Sequence, residues 1–183
     1  RSLNEHLNSS KWWDFGRKQG GLYLFTPTIT ATNSYWYKGT ADALYQNINF
    51  LKSAHEPYVV IASGDGVYKL DYNKVLEEHI ATGADITVVC KDIPAGDDDI
   101  NRFGVVKLGS DNRIVSFEEK PLVAETNTAS IGVYVVRRRQ LIELLEACAA
   151  EGRSDFVNDI LVRYKNVKKI YAYKLDSYWR NIG

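Results

Sequence analysis

Asp65 follows the apolar run Tyr58-Val59-Val60-Ile61-Ala62 and stands between Gly64 and Gly66. A carboxylate at the carboxyl end of a buried strand suits a hard cation such as Mg²⁺, and flanking glycines let backbone approach a ligand closely. The same Gly-Asp-Gly also suits a plain turn leading into a helix. A second candidate is Trp36-Tyr37-Lys38-Gly39-Thr40-Ala41-Asp42-Ala43, an aromatic loop that runs through Gly39 and Thr40 into a helix start. The free N–H groups and dipole of such an end favour polar or anionic ligand groups, and Tyr37 could stack on a base. Read the other way, this is a surface loop with Thr40 as N-cap. A third is Glu118-Glu119-Lys120-Pro121, where Lys120 is either a point charge for one phosphate or part of a solvated turn. Phe103-Gly104-Val105 and Ser130-Ile131-Gly132 each put a glycine in a strand, which marks a close ligand approach or a bulge. His6, His55 and His79 have no metal-binding spacing, and no Gly-x-Ser-x-Gly, P-loop or paired-cysteine motif exists.

The chain that must position these groups has 183 residues, 45% hydrophobic and 25% charged, the balance of one globular domain. Lys+Arg and Asp+Glu are 23 each, which argues against a general nucleic-acid binder that would need a basic excess. A small phosphorylated ligand needs only one or two cations and is not excluded. No apolar run approaches the roughly 20 residues that span a bilayer, so no membrane association is expected. The opening Arg-Ser-Leu-Asn-Glu-His has no apolar signal core, and Cys90 and Cys148 read as reduced core residues of a cytoplasmic protein. The chain has no methionine and stops at Trp-Arg-Asn-Ile-Gly, which leads us to expect a piece of something larger.

Periodicity supplies the elements. Leu3, Leu7 and Trp12 are loosely helical, Leu22–Phe25 is a short strand closed by Pro27, and 28–39 reads as loop. Thr40–Lys52 places Ala43, Leu44, Ile48 and Leu51 on one helical face. The run 58–62 is a strand buried on both faces, as in a parallel sheet. Asp71 should cap a helix carrying Val75, Leu76, His79 and Ile80, with Gly83 as its stop. A strand over Asp85–Cys90 would complete a βαβ unit. Residues 91–101 read as a solvated acidic loop that includes Asp92. Strands 103–108 and 113–118 form a hairpin through Gly-Ser-Asp-Asn. A strand follows at Ala129–Val136, then a helix at Arg137–Ala150 with Leu141, Leu144, Leu145 and Cys148 inward. Ser154 would cap a helix to about Arg163, before a last strand over Val167–Leu175. The fold class is mixed α/β with a mostly parallel sheet.

Taken in order, six segments resemble the glucose-1-phosphate adenylyltransferase (ADP-glucose pyrophosphorylase) family. They are Trp36–Ala43 with Tyr45-Gln46-Asn47, Gly64–Tyr72, Phe103-Gly104-Val105, Phe117–Pro121, Ser130–Tyr134 and Tyr178–Gly183. The resemblance covers nearly the whole chain, and the order and spacing of the set make it specific. It implies a Rossmann-like nucleotide-diphospho-sugar transferase fold, with 1–183 as a single partial domain. It also implies the joining of ATP and glucose 1-phosphate into ADP-glucose and pyrophosphate in glycogen biosynthesis. By resemblance, Asp65 holds Mg²⁺, Tyr37, Gly39 and Thr40 line the adenine side, and Lys120 meets the sugar phosphate. Glu119 meets the glucose hydroxyls, Gly104 and Ser130 border the sugar, and Trp179 lies among the substrate-binding residues.

Departures from the family pattern shape the expectation. The family's Gly-rich, Arg-containing triphosphate loop has no counterpart here, nor has its C-terminal left-handed β-helix domain, so the chain alone is expected to be inactive. Gly66 replaces the histidine usual after the metal-binding aspartate. Asn181 stands where catalytic members have a second metal carboxylate. These two features resemble the regulatory-type subunit of some Gram-positive bacteria, which pairs with a catalytic subunit in a hetero-oligomer. The alternatives are an active adenylyltransferase and a related nucleotide-sugar binding module.

Overall fold

The structure is a computed structural model that describes residues 22–25, 41, 44–62, 70–94, 104–119 and 121–175. The expectations at Leu3, Leu7, Trp12 and in 28–39 fall outside these residues. The described elements are β1 (Leu22–Phe25), α1 (Ile48–Ser53), β2 (Tyr58–Ala62), α2 (Tyr72–Thr82), β3 (Ile86–Asp92), β4 (Gly104–Leu108) and β5 (Ile114–Glu119). They continue with β6 (Thr128–Arg137), α3 (Arg138–Ala150), a π-helical segment (Val157–Val162) and β7 (Ile170–Lys174).

Seven strands form one sheet in the order β1-β2-β6-β3-β7, with β4 also on β6 and β5 on β4. The fold is α/β and Rossmann-like, but the expectation of a mostly parallel sheet is corrected: four of the six strand pairings among the described residues are antiparallel. Strands β1, β2, β3, β4 and β7 all run one way, yet only β1–β2 and β3–β7 pair in parallel. The reason is β6, which runs against them from the middle of the sheet and pairs antiparallel with β2, β3 and β4. The expected βαβ unit is present in split form: β2, α2 and β3 follow in order and β2 and β3 share a direction, with β6 between them.

Local chemistry explains the helix boundaries. The Asp71 Oδ1 accepts the backbone N–H groups of Asn73 at 3.1 Å and Lys74 at 3.4 Å, fixing the start of α2. Gly83 ends it at φ 70, a left-handed position that costs glycine little. The α3 stripe Leu141, Leu144, Leu145 and Cys148 is buried as its spacing requires. Arg138 at the start of α3 donates to the carbonyls of Leu51 at 3.0 Å and Glu56 at 2.8 Å, which ties down the end of α1. Of the helix expected over Thr40–Lys52, Ala41 and residues 44–46 are helical, Asn47 is a turn, and α1 follows over Ile48–Ser53. The segment after Ser154 is π-helical, and Ser154 does not cap it. Asp155 does so: its Oδ1 accepts the Asn158 N–H at 3.1 Å, while Asp159 Oδ2 accepts the Asp155 N–H at 2.9 Å. The Ser154 carbonyl instead accepts the Ala41 N–H at 3.0 Å.

Each face of the sheet carries a separate apolar cluster. One joins Ile61, Ile86, Val88, Cys90, Tyr134 and Val136 to Leu44, Leu51, Leu145, Phe156 and Ile160. The other joins Val60, Ala62, Val89, Val133 and Val135 to Leu70, Tyr72, Val75 and Leu76. Both cysteines are free and buried, and burial pushes the Cys90 thiol well up, so it behaves as a core residue. No helix among the described residues is long and apolar enough to cross a membrane.

Candidate substrate site

Of the residues singled out from the sequence, Gly104, Glu119 and Ser130 fall among the described ones. Asp65, Lys120, Tyr37, Gly39, Thr40, Trp179, Asn181 and Gly66 lie outside them. The three described residues come from separate stretches of chain, and the sheet brings them into one row. Gly104, the first residue of β4, pairs with Glu119, the last of β5, on one side and with Ser130 of β6 on the other. Directly opposed residues present side chains to the same face, so Glu119 and Ser130 flank Gly104 on one face, roughly 10 Å apart across two strand spacings. The row continues to Cys90 on β3 and Lys174 on β7.

The hairpin that builds this row turns through Ser110-Asp111-Asn112, with Asp111 at φ 58 and Asn112 at φ 63. Short polar side chains tolerate that region better than most residues. Gly104 itself serves packing. A Cβ there would meet Phe117 Cε1 at 2.8 Å and Cζ at 3.0 Å, so the missing side chain makes room for that ring. Phe117 belongs to the core and is two residues before Glu119. Phe117 and Glu119 alternate onto the same face of β5, beside Gly104.

Ser130 is buried, and its Oγ accepts the Gly132 N–H at a long 3.4 Å. Gly132 lies at φ 79 in an irregular stretch of β6, where the pairing jumps from Val88–Tyr134 to Cys90–Ser130. Of the two sequence readings for Ser130-Ile131-Gly132, the bulge is therefore realised. At the same place β6 changes partner on its other edge: β2 accompanies it back to Val133, and β4 accompanies it as far as Ser130. The sheet forks here, beside the carboxyl end of β2 at Ala62, three residues before Asp65. In open α/β sheets such a switch of strand neighbours is where ligands enter.

Three residues on the margin of the row were not legible as part of it. Asp92, read from sequence as solvated loop, is the last residue of β3. Its Oδ1 accepts the Thr128 hydroxyl at 2.8 Å and its Oδ2 meets Lys174 Nζ at 2.9 Å. Burial alone would raise the Asp92 carboxyl, but the hydrogen bonds from Lys174 and Thr128 outweigh it and hold the group below its ordinary range. Nothing local in the sequence marks these three as neighbours, because each sits at the end of a different strand. Among the described residues no group of three or more His, Cys, Asp or Glu is placed to hold a metal.

Comparison with known proteins agrees with this architecture. Residues 2–183 match the nucleotidyl transferase family. The glucose-1-phosphate adenylyltransferase of Thermosipho melanesiensis is 40% identical over 183 residues, 99% of this chain and 44% of that protein. Those of Pseudothermotoga lettingae and Clostridium acetobutylicum are 42% and 38% identical, over 99% and 100% of this chain and 43% and 48% of theirs. The chain thus spans a little under half the length of these relatives. A family match over almost every residue, on an α/β sheet, has one reading: the chain belongs to the nucleotidyl transferase family.

Proposed function

We propose that residues 1–183 form a single partial domain of a glucose-1-phosphate adenylyltransferase-type protein of glycogen biosynthesis, cytoplasmic and acting on ATP and glucose 1-phosphate. The observation that carries this reading is the Glu119–Gly104–Ser130 row beside the fork. A carboxylate and a hydroxyl on one face, beside the Phe117 ring, suit the hydroxyls and the apolar faces of a hexose. Lys120, the next residue in the chain, would supply the positive charge for its phosphate. Tyr37, Gly39, Thr40 and Trp179 would serve the nucleotide side. In such transfers the protein mainly positions the attacking phosphate and neutralises charge.

Asp65 and Asn181 would hold Mg²⁺. Their donors are oxygens, the kind this ion takes, so they fit it in type. Asn181 brings no charge, and the pair carries one negative charge fewer than two carboxylates would. The ion would supply neutralisation of the phosphates. The weaker donor set supports a regulatory-type subunit that works beside a catalytic subunit in a hetero-oligomer. The names of the relatives, glucose-1-phosphate adenylyltransferases at about 40% identity, favour the second reading, an active enzyme.

One experiment separates the two. Pyrophosphorolysis of ADP-glucose is measured for the intact protein with Mg²⁺, alone, as Asn181→Asp, and mixed with a catalytic relative. The regulatory reading expects turnover only in the variant or the mixture. Turnover by the unmodified protein alone establishes the enzyme. Absence of binding to ATP, glucose 1-phosphate and ADP-glucose in calorimetric titration sinks both.

A further inference from the structure

We infer that Gly132 is a positioning residue for the sugar side of the site, acting through the Ser130 hydroxyl. This rests on the reading of the Ser130 row given above. Strand β6 uses four residue steps, from Ser130 to Tyr134, where β3 uses two, from Cys90 to Val88. The surplus is taken up around Ile131 and Gly132. These two are also the residues of β6 that lie between the register of β4, which ends at Ser130, and that of β2, which ends at Val133. The bulge and the fork are therefore one feature. Bulges re-aim side chains and end pairings, and they recur beside active sites for that reason.

Gly132 makes the bulge possible. It is buried and sits at φ 79, where a Cβ is strained. Its N–H points back to Ser130 Oγ. A hydroxyl that accepts from backbone still has its own proton to give. The bulge thus orients Ser130 as a donor at the point where β2 and β4 part, in line with Gly104 and Glu119. A flat β6 would carry Ser130 into a continuous ladder, with β2 running on beside it and no opening.

The test is a double-mutant cycle on the full chain, read by calorimetric titration with glucose 1-phosphate and, separately, with ATP. Gly132→Ala is expected to weaken glucose 1-phosphate binding about tenfold and to leave ATP within about twofold. Gly132→Asn, which tolerates the left-handed region, should recover binding to within about threefold. In a Ser130→Ala background the Gly132→Ala change should add less than about twofold, because the hydroxyl it acts through is gone. A loss that is equal for both ligands, or that adds in full to Ser130→Ala, overturns the assignment. If Gly132→Ala does not fold, the Gly132 amide resonance of the ¹⁵N-labelled protein decides. It must move on saturation with glucose 1-phosphate and stay still in Ser130→Ala; a still resonance in the parent protein overturns the assignment. A parent protein that binds no glucose 1-phosphate instead overturns the site reading on which it rests.

Discussion

The four buried polar side chains of the described core fall into two pairs, His79 with Thr87 and Thr128 with Ser130. They sit at opposite ends of the sheet and on opposite faces. Thr87 is near the start of β3 on the face covered by α2, whereas Thr128 and Ser130 open β6 on the other face. The first pair closes on itself. His79 Nδ1 and Thr87 Oγ1 are 2.6 Å apart, and Tyr58 meets the imidazole edge-on at 5.6 Å between ring centroids. Arg137 covers Tyr58 at 5.2 Å from the ring centroid, and Asp85 is held by the Gln140 side chain and the Lys169 N–H. The second pair reaches outward, Thr128 to the ion pair of Asp92 and Lys174, Ser130 to a bulge at a fork. One end spends its polar groups on fixing the fold. The other places them beside the proposed sugar site.

This contrast predicts that mutations at the closed end cost stability and spare binding. His79→Ala should cost about 3 kcal/mol, from the cavity and from a Thr87 hydroxyl left without its partner. Urea unfolding reads the loss, and glucose 1-phosphate affinity should change less than about twofold. A large loss of affinity with little loss of stability would erase the distinction between the ends.

The same histidine sets a pH dependence. Desolvation, with the charge of Arg137 adding to it and Asp85 opposing, pushes His79 down to about 4. The folded state therefore binds this proton less readily than the unfolded chain, whose imidazole titrates near 6.5. The contribution of neutral His79 is complete above that value and is lost as pH falls from about 6.5 toward 4. By pH 4.5 the loss from this group is about 2 kcal/mol. Unfolding free energies at pH 7 and 4.5 should differ by that much more in the parent protein than in His79→Gln.

The two ends also differ in how far the sequence announced them. Helix α2, with its Asp71 cap and Gly83 stop, was legible because caps act over three or four residues. The α3 stripe was legible for the same local reason. The residues of the row were legible as motifs, and the resemblance alone grouped Glu119, Gly104 and Ser130 about the sugar; their pairing across three strands was not legible. The row's assembly depends on β6 running antiparallel through the middle of the sheet, and a strand buried on both faces has no periodicity that reveals its direction. Asp92 was misplaced for a related reason: acidic composition suggested loop, and only the partners Thr128 and Lys174, brought in by other strands, make it the end of β3. The His79–Thr87 pair left no signal beyond an inward helical position.

Gly104→Ala tests whether the open end is built as a row. The added methyl must displace a buried aromatic ring at 2.8 Å, so a destabilisation of about 1 to 2 kcal/mol is expected. Because Phe117 and Glu119 share a strand and a face, glucose 1-phosphate affinity should fall with it by about fivefold, or about 1 kcal/mol. Stability lost with affinity intact would make Gly104 a packing residue alone and leave the row without functional meaning.

The smallest effect is expected at the margin of that row. Asp92 and Lys174 are 49% and 36% exposed in their side chains, so solvent screens the pair and its loss in Lys174→Met should cost only a few tenths of a kcal/mol. The carboxyl itself is the sharper probe. With Lys174 gone, the burial that tends to raise Asp92 is opposed mainly by the Thr128 hydroxyl, so its pKa should rise. A depressed carboxylate adds stability above its unfolded pKa and loses it as pH falls through the folded value, so the variant should give up that increment at a higher pH than the parent. A ¹³C titration of the Asp92 side chain reads the shift directly, and raising the salt should narrow the gap between parent and variant. An unmoved Asp92 would mean that Thr128 alone sets this carboxylate. The open end would then be held, like the closed one, by a buried hydroxyl rather than by charge.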